Sequence, residues 1–488
     1  MSTIRETFRA VRRAKTVREL MQAVPRCTVG TAATVLLCYL CIVPLLASMT
    51  YDRDSMYIFD SDAVSFLTSS TFPYSDHWYR LMSTVIILSV LFIGYAAVQL
   101  YFSLHDARQS LAAWLRRHKA VLFFGLLFGW AAVSFAFSSH HFRSFFGTGY
   151  RYDGLLTYLF YIGIFCMTIQ MDKRQMRAVM ECFAAVGAVL GLICVFPASG
   201  FARLFYLNES GFKLSIFLQR THFGYFLSLC VPVGVFLLLT DEYAADARRR
   251  GLQMAARGVE CWLLFNAMVF NATRATIVAV VCMTAAANIA VFLGYREHAK
   301  RMLAVDALLA ATVLFLNSGN NLFIRTQASA AYMRELREAS LGFGGDDDVT
   351  STMNRLTSSR YAMWTAGARY ALQKPLFGWG PDNLGELYFY DGMAYTDRPH
   401  NELIQIAASL GFPALGLYLV GLFQWAKLFV QKWKQLGLFD LGGGGALVAG
   451  CYLVNSVFSN SMFYTTPYFY MFLGFAYCRV SNDNVVSL

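Results

Sequence analysis

Apolar runs of about 20 residues recur along almost the whole 488-residue chain, and a run of that length with few charges is what a helix needs to cross a bilayer. They fall near 27–48, 81–104, 119–137, 154–171, 176–197, 221–240, 258–272, 275–295, 302–319, 401–425, 442–458 and 464–480. The pattern predicts an all-α polytopic integral membrane protein with about 12 transmembrane helices. Composition agrees, since 57% of residues are hydrophobic and only 15% charged. Soluble enzymes and disordered chains do not have that balance.

The net charge of +11 would suggest nucleic acid in a soluble protein, but here Lys and Arg sit between the apolar runs, where they report topology. Residues 1–26 read as a retained basic cytoplasmic tail rather than a signal peptide. With that end inside, Lys and Arg favour the cytoplasmic segments over the short outer loops by about three to one. The expected organisation is a tail over 1–26, helices 1–9 over 27–319, an extracytoplasmic cap loop over 320–400, helices 10–12 over 401–480 and a cytoplasmic tail over 481–488. The eleven Cys lie in or beside apolar runs and read as small buried hydrophobes, not as a disulfide framework.

Two stretches depart from plain spans. Residues 258–295 are too long for one helix and short for two, and they divide most naturally at Asn271-Ala-Thr-Arg274. The loop of about 80 residues before Pro399 is far longer than most connections, and loops of that size carry function or structure of their own. Within it, Ala328 to Ser340 reads as a helix, Gly342 to Asp348 as an acidic turn, and Ser359 to Gln373 as an amphipathic helix stopped at Lys374-Pro375. The loop is therefore expected to be long, extracytoplasmic and partly helical.

Ionisable residues at a membrane boundary are costly, so each is a candidate for function. Arg274, beside Asn271 and Thr273, offers bidentate donors to an anionic headgroup; an Arg snorkelling to the interface would look the same. His400, followed by Asn401 and Glu402 at the start of a helix, could accept a proton from a hydroxyl, or could be a surface His beside a proline. Arg360 shares a helix face with Trp364. Arg220, His222 and Arg151 stand at outer ends of spans and could add to an anion site. Gly378 and Gly380 mark a turn closely approached by something. No His/Cys group has metal spacing and no nucleotide-binding pattern occurs, so neither metal nor cofactor is expected, and nucleic acid is not an expected partner.

In order along the chain, Gly149-Tyr-Arg-Tyr-Asp-Gly154, Asn271-Ala-Thr-Arg274, Arg360-Tyr-Ala-Met-Trp364, Pro375-Leu-Phe-Gly-Trp-Gly380 and Pro399-His-Asn-Glu-Leu403 followed by Leu410-Gly-Phe-Pro-Ala-Leu-Gly416 resemble the O-antigen ligase and O-antigen polymerase family of bacterial envelope glycosyltransferases. The resemblance implies a metal-independent transferase on the outer face of the inner membrane, moving a glycan from undecaprenyl diphosphate to a lipid or glycan acceptor hydroxyl. It implies that Arg274 and Arg360 hold the diphosphate and that His400 is the base. Thr273 stands where the family often has Ser, which keeps the hydroxyl. Ligase, polymerase and protein O-oligosaccharyltransferase share this donor, with ligase slightly favoured. A lipid-linked glycan transporter or flippase is the reading of another class, distinguished by charges gathered at the bilayer midplane.

Overall fold

The computed structural model describes residues 9–51, 73–148, 151–196, 201–205, 208–209, 214–215, 217, 219–241, 246–316, 331, 333–335, 346–357, 359–393, 396–436 and 439–480. It is helical throughout, apart from one antiparallel pair of two-residue strands, Asn208–Glu209 and Leu214–Ser215. Among the described residues each predicted apolar run except 401–425 falls largely in one helix, and seven helices are long and apolar enough to cross a membrane: Arg26–Thr50, Tyr74–Asp106, Lys119–Ala136, Lys173–Val195, Arg220–Thr240, Arg274–Gly294 and Phe412–Lys432. The protein is a helical membrane protein. The eleven cysteines are free thiols.

The helix Arg220–Thr240 is the hub, buried over almost its whole length. Ala247–Asn271, Leu441–Ser456, Arg274–Gly294 and Lys173–Val195 pack round it. Small residues permit this closeness. A Cβ on Gly191 would lie 2.2 Å from the Leu263 carbonyl oxygen, and one on Gly187 would lie 2.6 Å from Leu264 Cδ2, so only glycine lets Lys173–Val195 approach Ala247–Asn271 so nearly. The outer helices instead expose large side chains such as Leu91, Phe292, Leu303 and Phe315, as lipid-facing surfaces do. Helix starts are set by sequence: Asp172 and Gln175 form a capping box ahead of Lys173–Val195, and Asp440 caps Leu441–Ser456.

The division of 258–295 falls where predicted, because Ala272 adopts a left-handed conformation (φ 47°) and ends the first arm. That arm begins at Ala247, however, well before 258. Its basic half is helical because Arg257 is held by Asp241 (2.7 Å), Glu260 (2.6 Å) and Glu181, a charge cluster between helix ends. The run 401–425 is not one helix. It divides into Glu402–Leu410 and Phe412–Leu436 at Gly411, whose φ of 88° and close contact with the Leu376 carbonyl exclude a side chain.

In the long loop, Arg360–Gln373 forms as predicted and stops at Lys374. The acidic turn is replaced in part by the helix Asp346–Thr357. Of the helix read over 328–340, residues 331 and 333–335 are helical and the rest lie outside the described residues, as do 1–8, 481–488, Gly149 and Tyr150. A small second core of Met363, Tyr370, Leu384, Tyr388 and Ala408 binds Arg360–Gln373 and Leu384–Tyr390 to Glu402–Leu410. That core sets Arg360 and Trp364 beside His400.

Candidate active site

Two arginines converge on one helix end. Arg274 opens the second arm of the Ala272 turn and donates to the Leu356 carbonyl (3.2 Å), while Arg360 donates to the Thr357 carbonyl (3.3 Å). These are neighbouring carbonyls at the end of Asp346–Thr357, where a helix leaves acceptors unsatisfied. Burial, and after it the positive charge of Arg274, hold the Arg360 guanidinium below its ordinary pKa. Arg360 Nε is buried without a hydrogen-bond partner among the described residues.

The turn carries further polar groups. Asn271 Nδ2 donates to the Arg220 carbonyl (2.9 Å). A Cβ on Gly224 would lie 2.5 Å from Asn271 Oδ1 and 2.7 Å from Thr276 Oγ1, so glycine lets the start of Arg220–Thr240 nest in the turn. Asn271 Oδ1, Thr273 Oγ1 and Thr276 Oγ1 are buried without partners among the described residues. Unpaired buried acceptors and hydroxyls cost about 1–3 kcal/mol each, and they concentrate here.

His400 sits at the mouth of Glu402–Leu410 in a left-handed conformation (φ 51°). Its carbonyl accepts from Trp364 Nε1 (3.3 Å), and its Nδ1 lies 3.3 Å from the Asn460 amide nitrogen. Asn460 Oδ1 is buried and unpartnered among the described residues; as placed, the amide N–H donates to Nδ1 and the ring proton sits on Nε2, whereas with the amide's ends exchanged Oδ1 would accept Nδ1–H. Nε2 would then be the basic nitrogen. Burial first, then Arg151 and Arg360, lower the His400 pKa to about 3, so the imidazole is neutral near neutral pH. Asn401 caps the helix by accepting from Ile404 N (3.1 Å) and donates to the Val457 carbonyl (3.0 Å). Glu402 is buried and accepts from the Tyr418 hydroxyl (3.1 Å).

Beneath His400 lies a buried ion network that includes two of the sequence candidates, Arg151 and His222. Arg151 grips Asp397 with two bonds of 2.8 Å and donates to His222 Nε2 (3.1 Å). Arg398 donates to Asp153 (2.9 Å), to Asp382 and to Asp397 (3.3 Å). Gln405 and Ser461 also donate to Asp153, at 3.0 and 3.2 Å. Arg151 and His222 are thus structural partners inside this network, placed to set the field at His400. Asp153 lies in the first sequence piece named above, Asp382 lies two residues past Gly380 and Arg398 directly precedes Pro399, but nothing in their spacing reveals that they meet. Among the described residues no group of three or more His, Cys, Asp or Glu is arranged to hold a metal ion.

Gly378 and Gly380 meet the end of Glu402–Leu410 rather than the arginines. The amides of Trp379 and Gly380 donate to the Ala408 and Ser409 carbonyls (3.0 and 2.9 Å), and a Cβ on Gly378 would lie 2.4 Å from Ser409. Their φ values of 64° and 92° also favour glycine. The approach predicted for this turn is made by the protein's own backbone. Left-handed non-glycine residues adjoin or occupy every other piece of the cluster: Tyr152, Ala272, Ser359, Asp382 and His400. Such backbone is costly and collects at functional sites.

A comparison with curated proteins finds no match. Residues 260–419 match the family model described as O-Antigen ligase. That stretch holds Asn271, Thr273, Arg274, Arg360, Trp364 and His400 through Glu402, whereas Arg151, Arg220 and His222 precede it. Over the residues that carry both converging arginines and the neutral imidazole, the chain is similar to the O-antigen ligase family.

Proposed function

We propose that the protein is a metal-independent glycosyltransferase that moves a glycan from undecaprenyl diphosphate to an acceptor hydroxyl on the outer face of the inner membrane, with both termini cytoplasmic and twelve spans. The observation that carries this reading is the juxtaposition of Arg274 and Arg360, like charges brought to one helix end beside a neutral imidazole. A departing lipid diphosphate gathers negative charge, and preorganised guanidinium forks stabilise it more in the transition state than before reaction.

In the proposed step, His400 Nε2 takes the proton of the acceptor hydroxyl as its oxygen bonds to the anomeric carbon. The bond from that carbon to the diphosphate oxygen breaks, and its electron pair leaves with the diphosphate between Arg274 and Arg360. An imidazole of pKa about 3 is a weak base, but a bound diphosphate offsets the field of Arg360 and raises it toward the useful range. Asn271, Thr273 and Arg220 line the donor side, and Trp364, Asn401 and Glu402 position His400.

The test is the chain-length profile of carrier-linked and acceptor-linked glycan in a host lacking its own enzyme, comparing the protein with His400→Ala. Long chains accumulating on the carrier support ligase action, and single repeats support polymerase action. Identical profiles would remove His400 from the mechanism and favour the transporter reading.

A further inference from the structure

At the end of the bundle remote from the arginine and histidine cluster, two cavities meet. The helix Lys119–Ala136 connects the regions: Ser134, near one end, donates to the Phe377 and Ser409 carbonyls below the site, and Lys119 starts the other end, about 22 Å away at ~1.5 Å per residue. Around Lys119 lies a pocket of about 230 Å³ lined by Arg116, Arg117, His118 and Lys427, together with Gln424 and Gln431. Among the described residues no Asp or Glu lines it. The helix begins there without a side-chain cap, which adds the positive end of its dipole to four cationic side chains.

Beside it is a groove of about 250 Å³ lined by apolar and aromatic side chains, among them Leu100, Phe124, Phe165 and Leu473. Tyr477 lines both cavities. The wall they share is a fixed unit, in which Trp114 stacks on His118 with ring centroids 4.3 Å apart and His118 Nδ1 is hydrogen-bonded to the Tyr477 hydroxyl (2.6 Å). Basic residues at a helix end alone would be ordinary topology signals. Here they border a cavity, and an apolar slot of acyl-chain character adjoins it.

We infer that the two cavities form one binding site for an anionic phospholipid of the leaflet opposite the arginine and histidine cluster, with the headgroup phosphate on Arg116, Arg117, Lys119 and Lys427 and one acyl chain in the groove. Basic pockets between membrane helices bind anionic headgroups in this way. The inference does not rest on the transferase reading and survives its failure.

The full chain is tested in phosphatidylcholine nanodiscs doped with phosphatidylglycerol, by native mass spectrometry of retained lipid. One variant is Arg116→Gln/Arg117→Gln/Lys427→Gln. The other is Gly125→Leu, since Gly125 lines the groove and a Cβ there meets nothing within 4 Å. Wild type is expected to retain phosphatidylglycerol over phosphatidylcholine. The triple variant should lose roughly ten-fold of that preference, and Gly125→Leu should weaken retention with unchanged thermal stability in plain phosphatidylcholine. Equal retention in wild type and triple variant would overturn the inference. So would an unaffected Gly125→Leu, which would indicate surface charge alone, or displacement of the lipid by glycerol phosphate, which would indicate a soluble-anion site. Lys427→Gln alone serves if the triple variant fails to fold.

Discussion

Replacing Asp397 by Asn tests whether the ion network holds the site. Asp397 accepts both bonds of the Arg151 fork at 2.8 Å and a third from Arg398 at 3.3 Å, with all three residues buried. The amide keeps the shape but removes the charge and turns one acceptor into a donor facing a guanidinium. Breaking a buried pair in this way costs about 3–5 kcal/mol, because the remaining charge is left uncompensated. The assay is unfolding of the purified protein in a titration of dodecyl maltoside micelles with dodecyl sulfate. Arg151→Met/Asp397→Leu should recover much of the loss, since a buried pair exchanged for apolar side chains is often neutral. An Asp397→Asn variant within about 0.5 kcal/mol of wild type would refute the reasoning. The acid limb follows the same logic. Burial pushes the Asp397 carboxyl up, but Arg151 and then Arg398 outweigh it and hold it below the usual carboxylate range. Its contribution is therefore complete above an ordinary Asp pKa near ~3.9, and is lost only as pH falls below that toward the depressed value.

Arg274→Ala, Arg360→Ala and His400→Ala should each reduce transfer by about 100-fold or more while the protein still elutes as a folded species in gel filtration; full activity in any one removes that residue from the mechanism. Asn460→Ala should lower kcat about ten-fold with little change in KM, and a KM effect alone would show that Asn460 does not orient His400. The acid limb of kcat/KM should lie well below that of kcat, because His400 is held near 3 in the free protein and rises when the diphosphate arrives; activity falls as protonation removes the base, and coincident limbs would refute the coupling. Transfer should persist in excess chelator, and strict dependence on a divalent ion would count against the proposed site.

Helix content, the division at Ala272 and the helix Arg360–Gln373 were legible because each is local. Apolar length, a polar interruption and a terminating Lys-Pro act within a few residues of chain. Arg274, Arg360 and His400 could be named for a related reason, since ionisable groups at the edges of apolar runs are expensive enough to stand out one at a time. Their convergence was not legible. Arg274 and Arg360 meet only because Asp346–Thr357 ends between them, and the acidic turn expected near its start gave no sign of that helix.

What the sequence determined by itself is a membrane-embedded helical chain with candidate cations at its boundaries. Only the tertiary structure decided which of those cations face one another and which are already paired. Arg151 is one such cation, its fork closed on Asp397, a residue 246 positions away. Gly378 and Gly380 marked a turn closely approached by something, and what approaches is the protein itself: the Ser409 backbone at Gly378 and the Ser138 side chain at Gly380. The physical reason is range. Hydrophobic length and capping are properties of neighbours along the chain, whereas the charge state and openness of a site are set by groups that packing alone brings within a few ångströms.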